Sequence, residues 1–182
     1  MRHHLKPGDI DNLVRLHGIL YAREYGFDET FEKYVADGLA EFVGSPRPDK
    51  SRMWLAEASD RIIGSIAIVA GPGREAQLRW YFVDEEHRRQ GLGRELMEKA
   101  LMFCREQGFE TVFLWTTSEL SAARRIYTRF GFRKTEDKTH TIWGKKVTEE
   151  RYDLHLSDRP HPVQVPSRPS SSSARREPPP KQ

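Results

Sequence analysis

The sequence is poor in cysteine, has no long apolar run and carries no dominant charge. Cys104 is its one cysteine, which excludes an internal disulfide framework and any zinc site built on cysteine pairs. No stretch approaches the roughly 18 consecutive apolar residues of a membrane span, so no membrane partner is expected. The opening residues, Met1-Arg2-His3-His4-Leu5-Lys6-Pro7-Gly8, lack the apolar core of a signal peptide. A reducing, cytoplasmic setting is the expectation. His3-His4 sits on no predictable scaffold and the other histidines are scattered, so no metal site is expected either.

The formal charge is +3 over 182 residues, and its location matters more than its size. Residues 157–182 hold Arg159, Arg168, Arg175, Arg176 and Lys181 against Asp158 and Glu177, so this segment supplies all of it. The rest of the chain is balanced. The alkaline isoelectric point therefore says nothing about the globular part, and nucleic-acid binding loses its basis.

The same segment contains seven of the eleven prolines, the run Ser170–Ser173 and the triplet Pro178–Pro180. Only Val163, Val165 and Ala174 are apolar. Such a stretch cannot offset an ordering entropy of about 1–2 kcal/mol per residue. The expected organisation is one domain over 1–156 and a disordered Pro/Ser-rich basic tail over 157–182.

Within 1–156 the hydrophobic period changes twice. A short strand is expected near Arg2–Lys6, then a turn and helix cap at Pro7-Gly8-Asp9. Ile10, Leu13, Val14, Leu16, Leu20 and Tyr21 recur at helical spacing up to Gly26. Asp28 caps a second helix carrying Phe31, Tyr34, Val35, Leu39, Phe42 and Val43, ended by Pro46 and Pro48. Strand-like runs follow at 53–58, 62–69 and 77–83, the first two joined as a hairpin. The second half alternates: a helix from Gly91 to Gln107, a strand over 111–116, a helix over 121–129, and final strands at Ile142-Trp143 and 150–156. This order predicts a mixed α/β domain, with a mostly antiparallel central sheet flanked by helices.

The most informative junction is the turn from the third strand into the third helix, Val83-Asp84-Glu85-Glu86-His87-Arg88-Arg89-Gln90-Gly91-Leu92-Gly93-Arg94. Glycines let a ligand approach the main chain closely. Unpaired amides at a helix start, with the positive end of the dipole, favour an anion. Arg88, Arg89 and Arg94 add local positive charge. The pattern lacks the Gly-Lys-Ser/Thr ending of a P-loop and the spacing of a dinucleotide fingerprint. By itself it is weak. It gains weight from a second element after the next strand, Ala123-Arg124-Arg125-Ile126-Tyr127-Thr128-Arg129-Phe130-Gly131-Phe132.

Together these residues resemble the GNAT superfamily of N-acetyltransferases over roughly residues 3–156. Arg88-x-x-Gly91-x-Gly93 is similar to its acyl-CoA pyrophosphate loop, and Ile126-Tyr127-x-x-x-Gly131-Phe132 to its second signature. Three further segments, 24–32, 114–120 and 141–144, resemble the GNAT domains often fused to MarR-type regulators. No such DNA-binding domain fits in this chain, so the resemblance implies an acetyltransferase half standing alone.

The resemblance implies acetyl-CoA as co-substrate, an amine of a small molecule or protein as acceptor, and direct attack of that amine on the thioester. Pantetheine would pair with the main chain at Phe82 and Val83. The diphosphate would sit on the amides of Arg88, Arg89, Gln90, Gly91, Leu92, Gly93 and Arg94. Tyr127 would be the acid that protonates the departing sulfur; a phenol of pKa about 10 is protonated at neutral pH. Tyr25, Glu29 and Trp80 would border the acceptor. Sheet edges in this fold commonly pair, which leaves a homodimer open.

The proton acceptor is not assigned by the resemblance. Where some members carry a glutamate, this chain has Gln77, which takes no proton. Glu75 and Glu57 are the nearest acidic candidates by strand position, and a water chain is a further possibility. A second departure is Leu120, where many members have an asparagine that contacts the cofactor. The alternative function is a non-catalytic acyl-CoA-binding sensor or regulatory module.

Overall fold

The structure, a computed structural model, describes residues 1–156. The tail over 157–182 lies outside the described residues. Two helices come first, α1 (Asp9–Tyr25) and α2 (Glu29–Val43). The strands β1 (Arg52–Ala58), β2 (Arg61–Ala70) and β3 (Glu75–Val83) follow as a meander. After a short 3-10 turn at Glu85–His87 come α3 (Leu92–Glu106), β4 (Thr111–Thr117) and α4 (Ser121–Arg129), and the hairpin β5 (Arg133–Ile142) and β6 (Lys145–His155). The six strands form one sheet in the order β1-β2-β3-β4-β6-β5, parallel only between β3 and β4. That parallel pair is joined through α3, as a crossover between parallel neighbours requires.

From β1 to β4 the sheet is packed on both faces. Leu13, Phe31, Val35 and Leu39 of α1 and α2 pack with Met53, Leu55, Ala67, Trp80 and Phe82 on one side. Leu96, Met97, Ala100 and Cys104 of α3 and Tyr127 of α4 pack with Ile66, Ile68, Leu78, Val112 and Leu114 on the other. Cys104 is fully buried, and burial pushes its thiol up to about 12, so it is an inert core residue.

Two expectations about the elements need correction. The strand near Arg2–Lys6 shrinks to a single bridge between Arg2 and Leu55, because Pro7 and a left-handed Gly8 (φ 86°) turn the chain at once into α1. The cap of α1 falls within the expected Pro7-Gly8-Asp9 turn, at Gly8, and the Asp9 carboxylate is taken by Arg2 and the Lys6 amide. The final strands begin earlier than expected. Trp143 and Gly144 are not strand but a two-residue turn with φ of 52° and 77°, the left-handed pair that a primed hairpin turn demands. By contrast, Asp28 caps α2 as expected, accepting the Thr30 amide at 3.0 Å.

Candidate active site

The site begins with a break in the sheet. β3 and β4 pair only from Glu75–Gln77 to Thr111–Phe113, and beyond Gln77 the two strands part. A bulge in β3 accompanies the parting. Trp80 has φ 47°, and the register against β2 slips between Ser65 and Ala67. The fully buried Ser65 donates its hydroxyl to the Trp80 carbonyl and fixes the kink. The bulge also exchanges the two faces of β3. Ala76 and Leu78 face α3 before it; Tyr81 and Val83 do so after it, while Trp80 and Phe82 turn toward α1 and α2. A positive φ at a tryptophan costs on the order of 1–3 kcal/mol, a strain typical of functional sites.

Two cavities occupy the wedge. The larger, about 1070 Å³, runs from Phe82 and Val83 past Arg88, Gly91 and Gly93 to Ile126 and Phe130 on α4. Its floor is the start of α3. Arg88 is extended, Arg89 (φ 65°) and Gly91 (φ 88°) are left-handed, and the first amide to close a helical bond is that of Glu95, to the Gly91 carbonyl. The amides of Leu92, Gly93 and Arg94 are thus free of helical partners, a cradle for an anion. Gly93 is held against Tyr81, so a β-carbon there would lie 2.5 Å from the Tyr81 hydroxyl.

The charge around this cavity differs from the sequence expectation. Arg88 does not point free into the site: it donates to the Val83 carbonyl at 3.0 Å and pairs with Glu24 at 2.7 Å, tying the end of α1 to the loop. Arg94 pairs with Glu98 at 2.7 Å. Arg89, Arg105 and Arg129 line the cavity with no carboxylate partner among the described residues. Arg105 and Arg129 were not legible as site residues, because one lies four turns down α3 and the other at the end of α4.

The smaller cavity, about 100 Å³, lies on the other side of the junction. Its wall includes His17, Trp80, Thr116, Thr117, Tyr127, Trp143 and Glu149. Tyr21, Tyr81 and Leu120 line both cavities and mark where they meet. Tyr127 is 5% exposed and stands 6.1 Å from the Tyr81 ring; burial pushes its phenol well above the usual value. Burial likewise pushes Tyr81 up to about 12, and its hydroxyl is buried without a partner.

The predicted residues distribute as follows. Phe82, Val83, Arg88, Arg89, Gly91, Gly93 and Arg94 line the larger cavity, and so does Tyr25. Gln90 turns away to donate to the Glu86 carbonyl, and the Leu92 side chain packs on the core, leaving only their main chain toward the loop. Trp80, Gln77 and Tyr127 line the smaller cavity. Glu29 lines neither; it is exposed in the first turn of α2. Glu75 and Glu57 also lie outside. Glu75 is 3.9 Å from Arg151, and Glu57 is tied to Arg2 at 2.9 Å and Lys6 at 3.3 Å. Among the described residues no group of three or more potential ligands could hold a metal ion, and no helix is long and apolar enough to cross a membrane.

Comparison with known proteins fits this geometry. The profile of the acetyltransferase (GNAT) family matches residues 18–132. N-acetyltransferase 8 from Homo sapiens is 35% identical over 102 residues, covering 53% of this chain and 45% of that protein. N-acetyltransferase family 8 member 3 from Rattus norvegicus is 36% identical over 122 residues, 62% of this chain and 54% of the relative. The chain spans about half the length of the curated relatives it matches. A crystal structure of a GNAT-family acetyltransferase from Staphylococcus aureus superposes with a TM-score of 0.65 at 22% identity, over 84% of this chain and 96% of that one.

Proposed function

The chain belongs to the acetyltransferase (GNAT) family, and on that premise we propose that it transfers the acetyl group of acetyl-CoA to an amine by direct attack. The observation that carries this reading is the parting of β3 and β4 with a cavity on each side of the junction at Tyr21, Tyr81 and Leu120. One cavity has the size and the free amides for an acyl-CoA. The other is small, is walled by aromatic and polar side chains, and would take the acceptor.

The residues present fit the co-substrate. Gly93 admits close approach, the amides of Leu92, Gly93 and Arg94 can receive a diphosphate, and Arg89, Arg105 and Arg129 supply charge. The open edge of β3 at Phe82 and Val83 offers main chain to a pantetheine arm, although the Val83 carbonyl is engaged by Arg88. The amine nitrogen attacks the thioester carbon, the carbon–nitrogen bond forms and the carbon–sulfur bond breaks. Tyr127 keeps its proton at neutral pH because burial disfavours the phenolate, and donates to the sulfur as negative charge develops there. Glu149 is the one carboxylate on the wall of the smaller cavity among the described residues.

The test is release of free thiol from acetyl-CoA across a panel of small amines, amino acids, polyamines and peptides. Release with at least one acceptor is the expected result. Tight acetyl-CoA binding with no release would favour the sensor module instead.

A further inference from the structure

His17 is buried in the middle of α1, 3% exposed. Its Nδ1 lies 2.8 Å from the Leu13 carbonyl, one turn back. A carbonyl can only accept, so Nδ1 carries the hydrogen and Nε2 is left with a lone pair. That Nε2 is buried and has no partner. The residue lines the smaller cavity, with its ring edge-on to Phe82 at 5.0 Å between centroids. Phe82 in turn lines the larger cavity. His17 thus borders the acceptor side of the junction, one ring away from the proposed acyl-CoA side.

A neutral imidazole with a bare, buried nitrogen is costly unless something donates to it. We propose that His17 is the group that takes the proton from the acceptor amine as the carbon–nitrogen bond forms. This rests on the transfer reaction proposed above. An amine entering neutral donates an N–H to Nε2, which turns its own lone pair toward the thioester carbon. As the nitrogen acquires its acyl bond it loses basicity, and the proton passes to Nε2. The sulfur takes a proton from Tyr127. The imidazolium then returns its proton to the phenolate through solvent, so that one proton moves from nitrogen to sulfur in each turnover.

Burial holds the imidazole down to about 4, against the opposing pull of the Leu13 carbonyl. It therefore cannot strip a free ammonium of pKa about 10, but it can deprotonate a nitrogen already becoming an amide. The titratable and charged groups that line the same cavity are Tyr21 from α1, Tyr34 from α2, Arg79 and Tyr81 from β3, Tyr127 from α4 and Glu149 from β6. Glu149 is the competing acceptor, and it is already held by His140 at 2.7 Å.

The experiment compares wild type, His17→Phe, His17→Gln and Glu149→Gln by steady-state thiol release, acetyl-CoA binding calorimetry and thermal unfolding. In parallel, 15N spectra of the wild-type imidazole are recorded with and without an amine acceptor. His17→Phe is expected to lower kcat about 100-fold or more while acetyl-CoA affinity changes less than about threefold. His17→Gln, which keeps an acceptor oxygen, is expected to fall between the two and stands in if the Phe variant does not fold. The His17 spectrum is expected to show Nδ1 protonated and Nε2 bare, with the Nε2 signal moving when the amine binds. An active wild type whose His17→Phe or His17→Gln variant keeps full kcat would overturn the inference, as would equal loss of turnover and acetyl-CoA binding, or a loss confined to Glu149→Gln. A wild type that binds acetyl-CoA yet releases no thiol would instead overturn the transfer reaction itself, and this inference with it.

Discussion

The Tyr81 hydroxyl stands 2.5 Å from the point a β-carbon on Gly93 would occupy. Gly93 is thus required by close approach, whereas Gly91, with φ 88° and open space around it, is required by its backbone conformation. The two glycines of one motif answer to different physics.

Gly93→Ala is expected to cost about 1–3 kcal/mol by overpacking. Tyr81→Phe alone is expected to be neutral or stabilising, because its hydroxyl is buried without a partner. The double variant should then recover most of the loss. Denaturant unfolding of the four proteins checks this; a double variant no more stable than Gly93→Ala would refute the contact.

Arg105→Ala and Arg129→Ala are expected to weaken acetyl-CoA binding several-fold at low salt and less at high salt. Arg94→Ala is expected to weaken it less, since its guanidinium is already paired with Glu98 and mostly exposed. Calorimetric titrations at two ionic strengths separate these cases.

Arg2 and Asp9 form a nearly dry pair, 2.7 Å apart with side chains 8% and 9% exposed. Burial alone would raise the Asp9 carboxyl, but hydrogen bonds from the Arg2 guanidinium and the Lys6 amide outweigh it and hold it below the usual carboxylate value. Stability from this group is therefore present above its unfolded pKa of about 3.9 and is lost as pH falls through the lower folded value. Asp9→Asn is expected to cost about 3 kcal/mol at neutral pH and to flatten the acid limb of the stability profile. Thermal melts from pH 7 to pH 3 test both.

Ser65→Ala removes the donor to the Trp80 carbonyl at the bulge and leaves that buried group unsatisfied. A loss of about 1–3 kcal/mol is expected, together with weaker acetyl-CoA binding as the wedge between β3 and β4 relaxes. Unchanged binding would mean that the bulge holds its shape without the hydroxyl.

Much of the fold was legible because α1 to α4 and β1 to β4 carry clear apolar periods. β5 was not, since its residues from Arg133 to Thr141 are exposed and polar and show no alternation. The loop at Gly91 and Gly93 was legible from its glycines and arginines. The bulge was not, because Trp80 is a residue type that rarely adopts positive φ and nothing in Gln77–Val83 announces it. Ion pairing between elements distant in sequence was equally hidden. Arg88 reads as free charge until Glu24 is seen beside it, 64 positions away. His17 was findable: it completes the stripe Ile10, Leu13, Val14, Leu20 and Tyr21 at helical spacing, and a polar residue on a buried stripe marks a site worth inspecting.

The most direct test of transfer through Tyr127 is free-thiol release by wild type and Tyr127→Phe, with acetyl-CoA affinity measured on the same samples. The expected result is turnover by wild type with at least one amine, a kcat about 100-fold lower in Tyr127→Phe, and acetyl-CoA affinity within about threefold. Equal kcat in the two proteins, or tight acetyl-CoA binding by wild type with no thiol released to any amine, would contradict it.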